Sequence, residues 1–318
     1  MRITRREALR LGGLGALASV AADLPAAAPA LQADPPGFPL DPRHLAHGLD
    51  LLCNAHSTDS FRAGHAGGAV ISAYYLCREE ELEPGTAEVI QGALDRHYPL
   101  AAGPFPDEDP VEDGIAQILR AREPDLGQLC REGHDVIFLS LALRAMHELP
   151  RAVTPARIAG LLRTLRSLEP KLRGHSDIAV PESESAFAEF VLEEFLASTE
   201  GGPGQGFSGH LLTHGRAILD LRLLGHERFA GRCLHAFGLA VGRARPRTRG
   251  PHWRAERPRV EFRRPDRKEY WERRAAAGTV ELGHLFKYPY GFLGLRRLSG
   301  NRALNEVCAE NSYRLFKS

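Results

Sequence analysis

Six times in this 318-residue chain a glycine stands directly before a histidine: Gly64-His65, Gly133-His134, Gly174-His175, Gly209-His210, Gly225-His226 and Gly283-His284. Four of these histidines, His65, His134, His210 and His284, stand where a loop gives way to a strongly apolar segment, at spacings of 69, 76 and 74 residues. Neutral imidazole is the commonest metal ligand and also carries protons near neutral pH. Helices that bring such ends together would offer three or four nitrogens to one divalent transition metal. His210 and His214 lie four residues apart on one helix face, a spacing that can hold a single ion. The expected metal set is therefore His65, His134, His210, His214 and His284. Asp59, Asp135 and Asp220 are candidate carboxylates, either as ligands or as partners that fix a histidine tautomer. Asp59, Tyr74 and Lys287 are the candidate catalytic groups, with Tyr75 and Tyr288 as further acid–base candidates. The competing reading makes each histidine a helix cap or a hydrogen-bonded core residue, and each tyrosine a core filler.

Positioning such residues requires long helices, and the apolar spacing supplies them. Ala66 to Leu76, nearly all round, and Val136 to Leu143, on all sides, are apolar, as buried helices are. Around them lie one-sided stripes, such as Ile158, Leu161, Leu162, Leu165 and Leu168 after the helix start at Thr154-Pro155. No stretch shows the short alternating runs of a sheet. The fold class expected is all-α: an α/α barrel (toroid) or a layered helical bundle, with inner apolar and outer amphipathic helices.

Composition narrows the function further. The chain is 43% apolar and 25% charged with a formal net charge of +1, so nothing overall points to nucleic acid. Its five cysteines show no CxxC or metal-finger spacing and read as small buried hydrophobes. Gly204-Gln205-Gly206-Phe207-Ser208-Gly209 matches GxGxxG, but no βαβ unit surrounds it, which excludes a dinucleotide fold. GxSxG, Walker and HExxH patterns are absent from the sequence.

The two ends of the organisation differ from the middle. Thr4-Arg5-Arg6-Glu7-Ala8-Leu9-Arg10, the mild apolar run Leu11 to Ala22 and a small-residue stretch ending near Ala33 resemble a twin-arginine export signal. That resemblance implies residues 1–33 as a removed leader, 34–318 as one all-α domain, and a periplasmic or extracellular bacterial location. No transmembrane span is expected once the signal is gone, since the apolar run is short and broken by glycine. Residues 243–274 carry thirteen Lys/Arg against five Asp/Glu, interrupted by four prolines. This basic arm is expected to lie against an acidic surface, the protein's own or a partner's. Within it, Asp266 with Glu269 resembles a capping box for a short helix.

The order of histidine-led segments, GHAGGAVISAYYL, GHDVIFLSLALRAM, GHLLTHGRAILDL and GHLFKYPYGFLGL, is similar to the questin oxidase-like family, over His65 to Leu295. The resemblance implies an all-helical fold and Baeyer–Villiger-type oxidation. Taken together, the expectation is an exported helical enzyme with a histidine-lined central pocket for a small-molecule ligand. It would depend on a divalent transition metal and oxidise a small organic substrate. The alternative is a non-catalytic helical scaffold or ligand-binding protein whose histidines are structural. An α/α-barrel glycan-active enzyme would need paired carboxylates, which the sequence offers no way to pair.

Overall fold

In a computed structural model, the structure describes residues 40–169, 171–199, 207–245, 264–276 and 283–315. The expected leader, most of the GxGxxG loop and the centre of the basic arm lie outside these residues. The described residues are overwhelmingly α-helical, and the fold is all-α. Their sole sheet is an antiparallel pair of two-residue strands, β1 (Leu129–Cys130) and β2 (Lys171–Leu172).

Four helices form the interior. These are α2 (Ser60–Glu79), α5 (His134–Glu148), α8 (Phe207–Leu223) and α11 (His284–Leu298). Each is buried along nearly its whole described length, as the absence of a polar face in the sequence requires. Around them pack α1 (Arg43–Asn54), α3 (Thr86–His97), α4 (Gly114–Arg122), α6 (Pro155–Arg166), α7 (Glu184–Ser198), α9 (Glu227–Ala244), α10 (Lys268–Ala276) and α12 (Arg302–Glu310). Of these, α1, α6 and α9 have one buried and one exposed face, matching the one-sided stripes read from the sequence.

Glycine sets how closely the inner helices approach. A Cβ on Gly67 would stand 2.5 Å from the Leu52 nitrogen and 2.7 Å from the Gly48 oxygen, so α1 and α2 touch backbone to backbone. Helix α2 starts at Asp59, whose carboxylate accepts from the Phe61 and Arg62 backbone N–H groups at 3.0 and 3.1 Å. Helix α6 begins with Pro155 as its first residue, as the sequence predicts.

The short helix α10 departs from expectation. Its first N–H, on Lys268, donates to the Glu83 carboxylate at 2.8 Å, while Asp266 pairs with Arg264 and Glu269 with Arg273. The cap is thus supplied from far away in sequence, and Asp266 is taken by a neighbouring guanidinium. Trp271 of α10 stacks on Phe286 and donates from its indole nitrogen to the Pro265 carbonyl at 2.8 Å. At the arm's other described end, Arg245 meets the Glu194 carboxylate, with one bond of 2.9 Å. All five cysteines are buried, and none is in a disulfide. No helix among the described residues is long and apolar enough to cross a membrane.

A layer of charge crosses the interior between α2, α5, α8 and α11. Arg144 and Arg216 both reach Glu79 and Asp220, and the Tyr290 hydroxyl donates to Asp220 at 2.6 Å. The ions are mutually neutralised and hydrogen-bonded, which is the condition for burying them.

Candidate metal centre

The four helix-leading histidines meet. His134 and His284 are the first residues of α5 and α11, His210 lies in the first turn of α8, and His65 in the second turn of α2. One ring nitrogen from each of His65, His134 and His210 lies within 4.8 Å of the other two. Ring centroids are 4.5 Å apart for His65 and His134, and 4.6 Å for His134 and His210. His284 stands 5.0 Å from both His65 and His210, stacked on Tyr288. His65 and His134 are fully buried and His210 nearly so, whereas His284 retains partial exposure at the edge.

The glycines before them have a physical reason. Gly133 and Gly283 adopt φ of +92° and +73°, the left-handed conformation that turns the chain into each helix with little cost only for glycine. A Cβ on Gly133 would overlap the His214 ring, and one on Gly283 would come within 2.5 Å of the Ala69 methyl. A Cβ on Gly64, inside α2, would stand 2.5 Å from the Phe138 ring. Just before His134 the backbone is strained: Arg131 and Glu132, neither a glycine, have φ of +41° and +59°.

Hydrogen bonds on the outer ring edges orient the inner ones. The His134 Nδ1–H donates to the Arg131 carbonyl, which leaves Nε2 as the lone-pair nitrogen. His65 Nδ1 contacts the Lys287 amine, and His210 Nδ1 faces the Tyr288 hydroxyl at 3.3 Å. The Nε2 atoms of His65, His134 and His284 are buried without a hydrogen-bond partner. Buried polar atoms are rarely left so, and three in one nest point to a species that they bind.

Electrostatics favour the same chemistry. Burial is the main cause that drives the His65, His134 and His284 imidazolium forms far below their ordinary range, and neighbouring imidazoles and Lys287 add to it. Burial likewise holds the Lys287 ammonium well below the usual lysine range. Neutral imidazole is the form that coordinates a metal.

Other candidates stand elsewhere. His214 is one turn beyond His210, its ring against Phe237 at 5.3 Å between centroids, outside the group of three. Four residues on a helix advance about 6 Å and turn by about 40°, enough to aim the second ring at α9. Asp59 caps α2 and pairs with Arg62 at 3.8 Å, with its side chain 58% exposed. Tyr74 lies nine residues along α2 from His65, about 13 Å away, and its hydroxyl donates to Glu148 at 3.3 Å. Asp220 belongs to the buried charge layer. Asp135 faces Arg122 at 3.4 Å, its carboxyl pushed up to about 6 by burial. Lys287 alone of the three catalytic candidates touches the histidine nest.

Two contributors had no sequence signal. The Arg131 carbonyl fixes the His134 tautomer, and the Glu132 carboxylate lies 3.9 Å from His134 Nδ1. The positive-φ pair that places them could not be foreseen, because neither residue is one that favours that conformation. Compared with models of known protein families, with curated proteins and with solved structures, the chain gives no match.

Proposed function

We propose that this protein is a metal-dependent enzyme whose ion is held by His65, His134 and His210, with His284 as a fourth nitrogen at the accessible edge. The observation that carries this reading is the convergence of His65, His134 and His210, with the Nε2 atoms of His65 and His134 buried and without a hydrogen-bond partner. An all-nitrogen donor set suits zinc, copper, iron or nickel over magnesium or calcium. Such an ion supplies Lewis acidity or, if redox-active, electron transfer. Lys287 is a positioning residue that holds the His65 ring by its Nδ1 edge. Tyr288 does the same for His210. The resemblance to questin oxidase-like proteins supports oxidation of a small organic substrate as the reaction, and His284 marks the side from which that substrate approaches. The leader-like segment at residues 1–33 supports export to the periplasm or beyond.

Metal analysis of the untagged full-length chain tests the central point. About one equivalent of a transition metal is expected, with its loss in a His65→Ala, His134→Ala double variant. Metal-free protein after purification, with melting unchanged by added zinc, copper or iron, would return the histidines to a purely structural role.

A further inference from the structure

A second pair of histidines lies far from this nest. His147, in the last turn of α5, and His226, the residue that caps α9, point their Nε2 atoms at each other across 3.3 Å. Both side chains are half-buried and so within reach of solvent. Two nitrogens bound at about 2.0–2.1 Å to a tetrahedral ion stand about 3.3 Å apart. The same separation allows a long N–H···N hydrogen bond between the rings when no ion is present.

We propose that His147 and His226 form a second, peripheral site for a divalent transition-metal ion that ties the end of α5 to the turn between α8 and α9. The ring centroids are 5.5 Å apart, and two rings on one tetrahedral ion would stand about 5.2 Å apart. The nitrogens already stand at the ligand separation, so the change needed is one of direction: both rings must swing until their lone pairs meet at one point off the Nε2–Nε2 line. The two helix ends offset one another, since His147 occupies the C-terminal turn of α5, where unpaired carbonyls concentrate negative potential, and His226 the N-terminus of α9, where unpaired N–H groups do the opposite. No third His, Cys, Asp or Glu among the described residues joins the pair in a group of metal-ligand spacing, so water completes the coordination. A two-ligand site open to water binds more weakly and exchanges faster than the buried nest. His147 lies thirteen residues along α5 from His134, about 20 Å, so the two ions would not meet.

Zn2+ titration of the untagged full-length protein, read by calorimetry, tests this directly. Two classes of site are expected, and His147→Gln and His226→Gln should each weaken the looser class at least tenfold while leaving the tighter one. The control is His175→Gln, which alters an exposed histidine paired with Asp177 at 3.0 Å and should change neither class. A looser class that persists in both variants, or that disappears in the control, would overturn the assignment, as would its absence from the parent protein. The His65→Ala, His134→Ala variant separates the two claims, since it should lose the tight class and keep the loose one.

Discussion

Replacing His134 by leucine should reverse sign between the metal-free and the metal-loaded protein. Without metal, the His134 Nε2 is a buried lone pair with no partner, which costs about 1–3 kcal/mol. Its Nδ1–H bond to the Arg131 carbonyl returns about 1 kcal/mol. Leucine abolishes both and adds apolar contact with Phe61 and Phe138, whose rings lie 4.9 and 5.3 Å from the His134 ring. The metal-free variant should therefore be as stable as its parent or up to about 2 kcal/mol more so. With metal at a hundred times its dissociation constant, the parent gains about 2.7 kcal/mol and the variant loses most of that gain. For a chain of this length the gain is a rise of roughly 4 °C in melting temperature. Scanning calorimetry in chelator, then with one equivalent of Zn2+, reads both signs in one preparation. A metal-free variant that melts several degrees below its metal-free parent would refute the reasoning, because the ring would then be stabilising the fold without an ion.

Three further outcomes follow from other parts of the structure. Burial holds the His214 imidazolium down to about 3 against an ordinary 6.5, so unfolded chains take up a proton below about pH 6.5 that the native protein refuses until about pH 3. Stability should then fall as pH drops through that window, by about 1.4 kcal/mol per pH unit for this group; urea unfolding of His214→Leu should show a slope shallower by one proton, and an unchanged slope would remove His214 from the account. Gly67→Ala should destabilise by about 2 kcal/mol or more, because its Cβ would press on α1 backbone, whereas Gly231→Ala, exposed within α9 with open space around it, should stabilise by about 0.5–1 kcal/mol; thermal melts that rank the two in the opposite order would contradict the helix contact described. Asp220→Ala should cost about 3–5 kcal/mol by leaving Arg144 and Arg216 short of counter-charge, yet leave metal content unchanged; lost metal would place the charge layer within the centre.

How far the sequence could be read depended on the range of each interaction. The inner helices were legible because burial on all sides removes the polar face, and that is a local property of Val136 to Leu143 or Ala66 to Leu76. The convergence of His65, His134, His210 and His284 was legible for a related reason. Gly133 and Gly283 let the chain turn into the helices that His134 and His284 begin, and Gly64, before His65, lets two elements touch. His214 shows where the same reasoning stops. A spacing of four puts two residues on one face, but it does not set how far each ring reaches or which neighbour it meets. The Glu83 cap on α10 and the Arg144–Asp220 layer join residues 76 or more positions apart, and nothing near either partner in sequence signals the other.

The distinction bears on the function proposed. A site made of residues that each carry a local reason for their position can be found in one chain without relatives. The partners that tune it cannot. Lys287, Tyr288 and the Arg131 carbonyl all meet the histidines on their Nδ1 edges, and those contacts decide which nitrogens face inward. If Lys287 orients His65, then Lys287→Met should retain the bound ion but weaken it by 10–100-fold, the usual effect of removing such a partner. A variant with unaltered affinity would mean that packing against Phe61 and Phe138 holds the ring unaided.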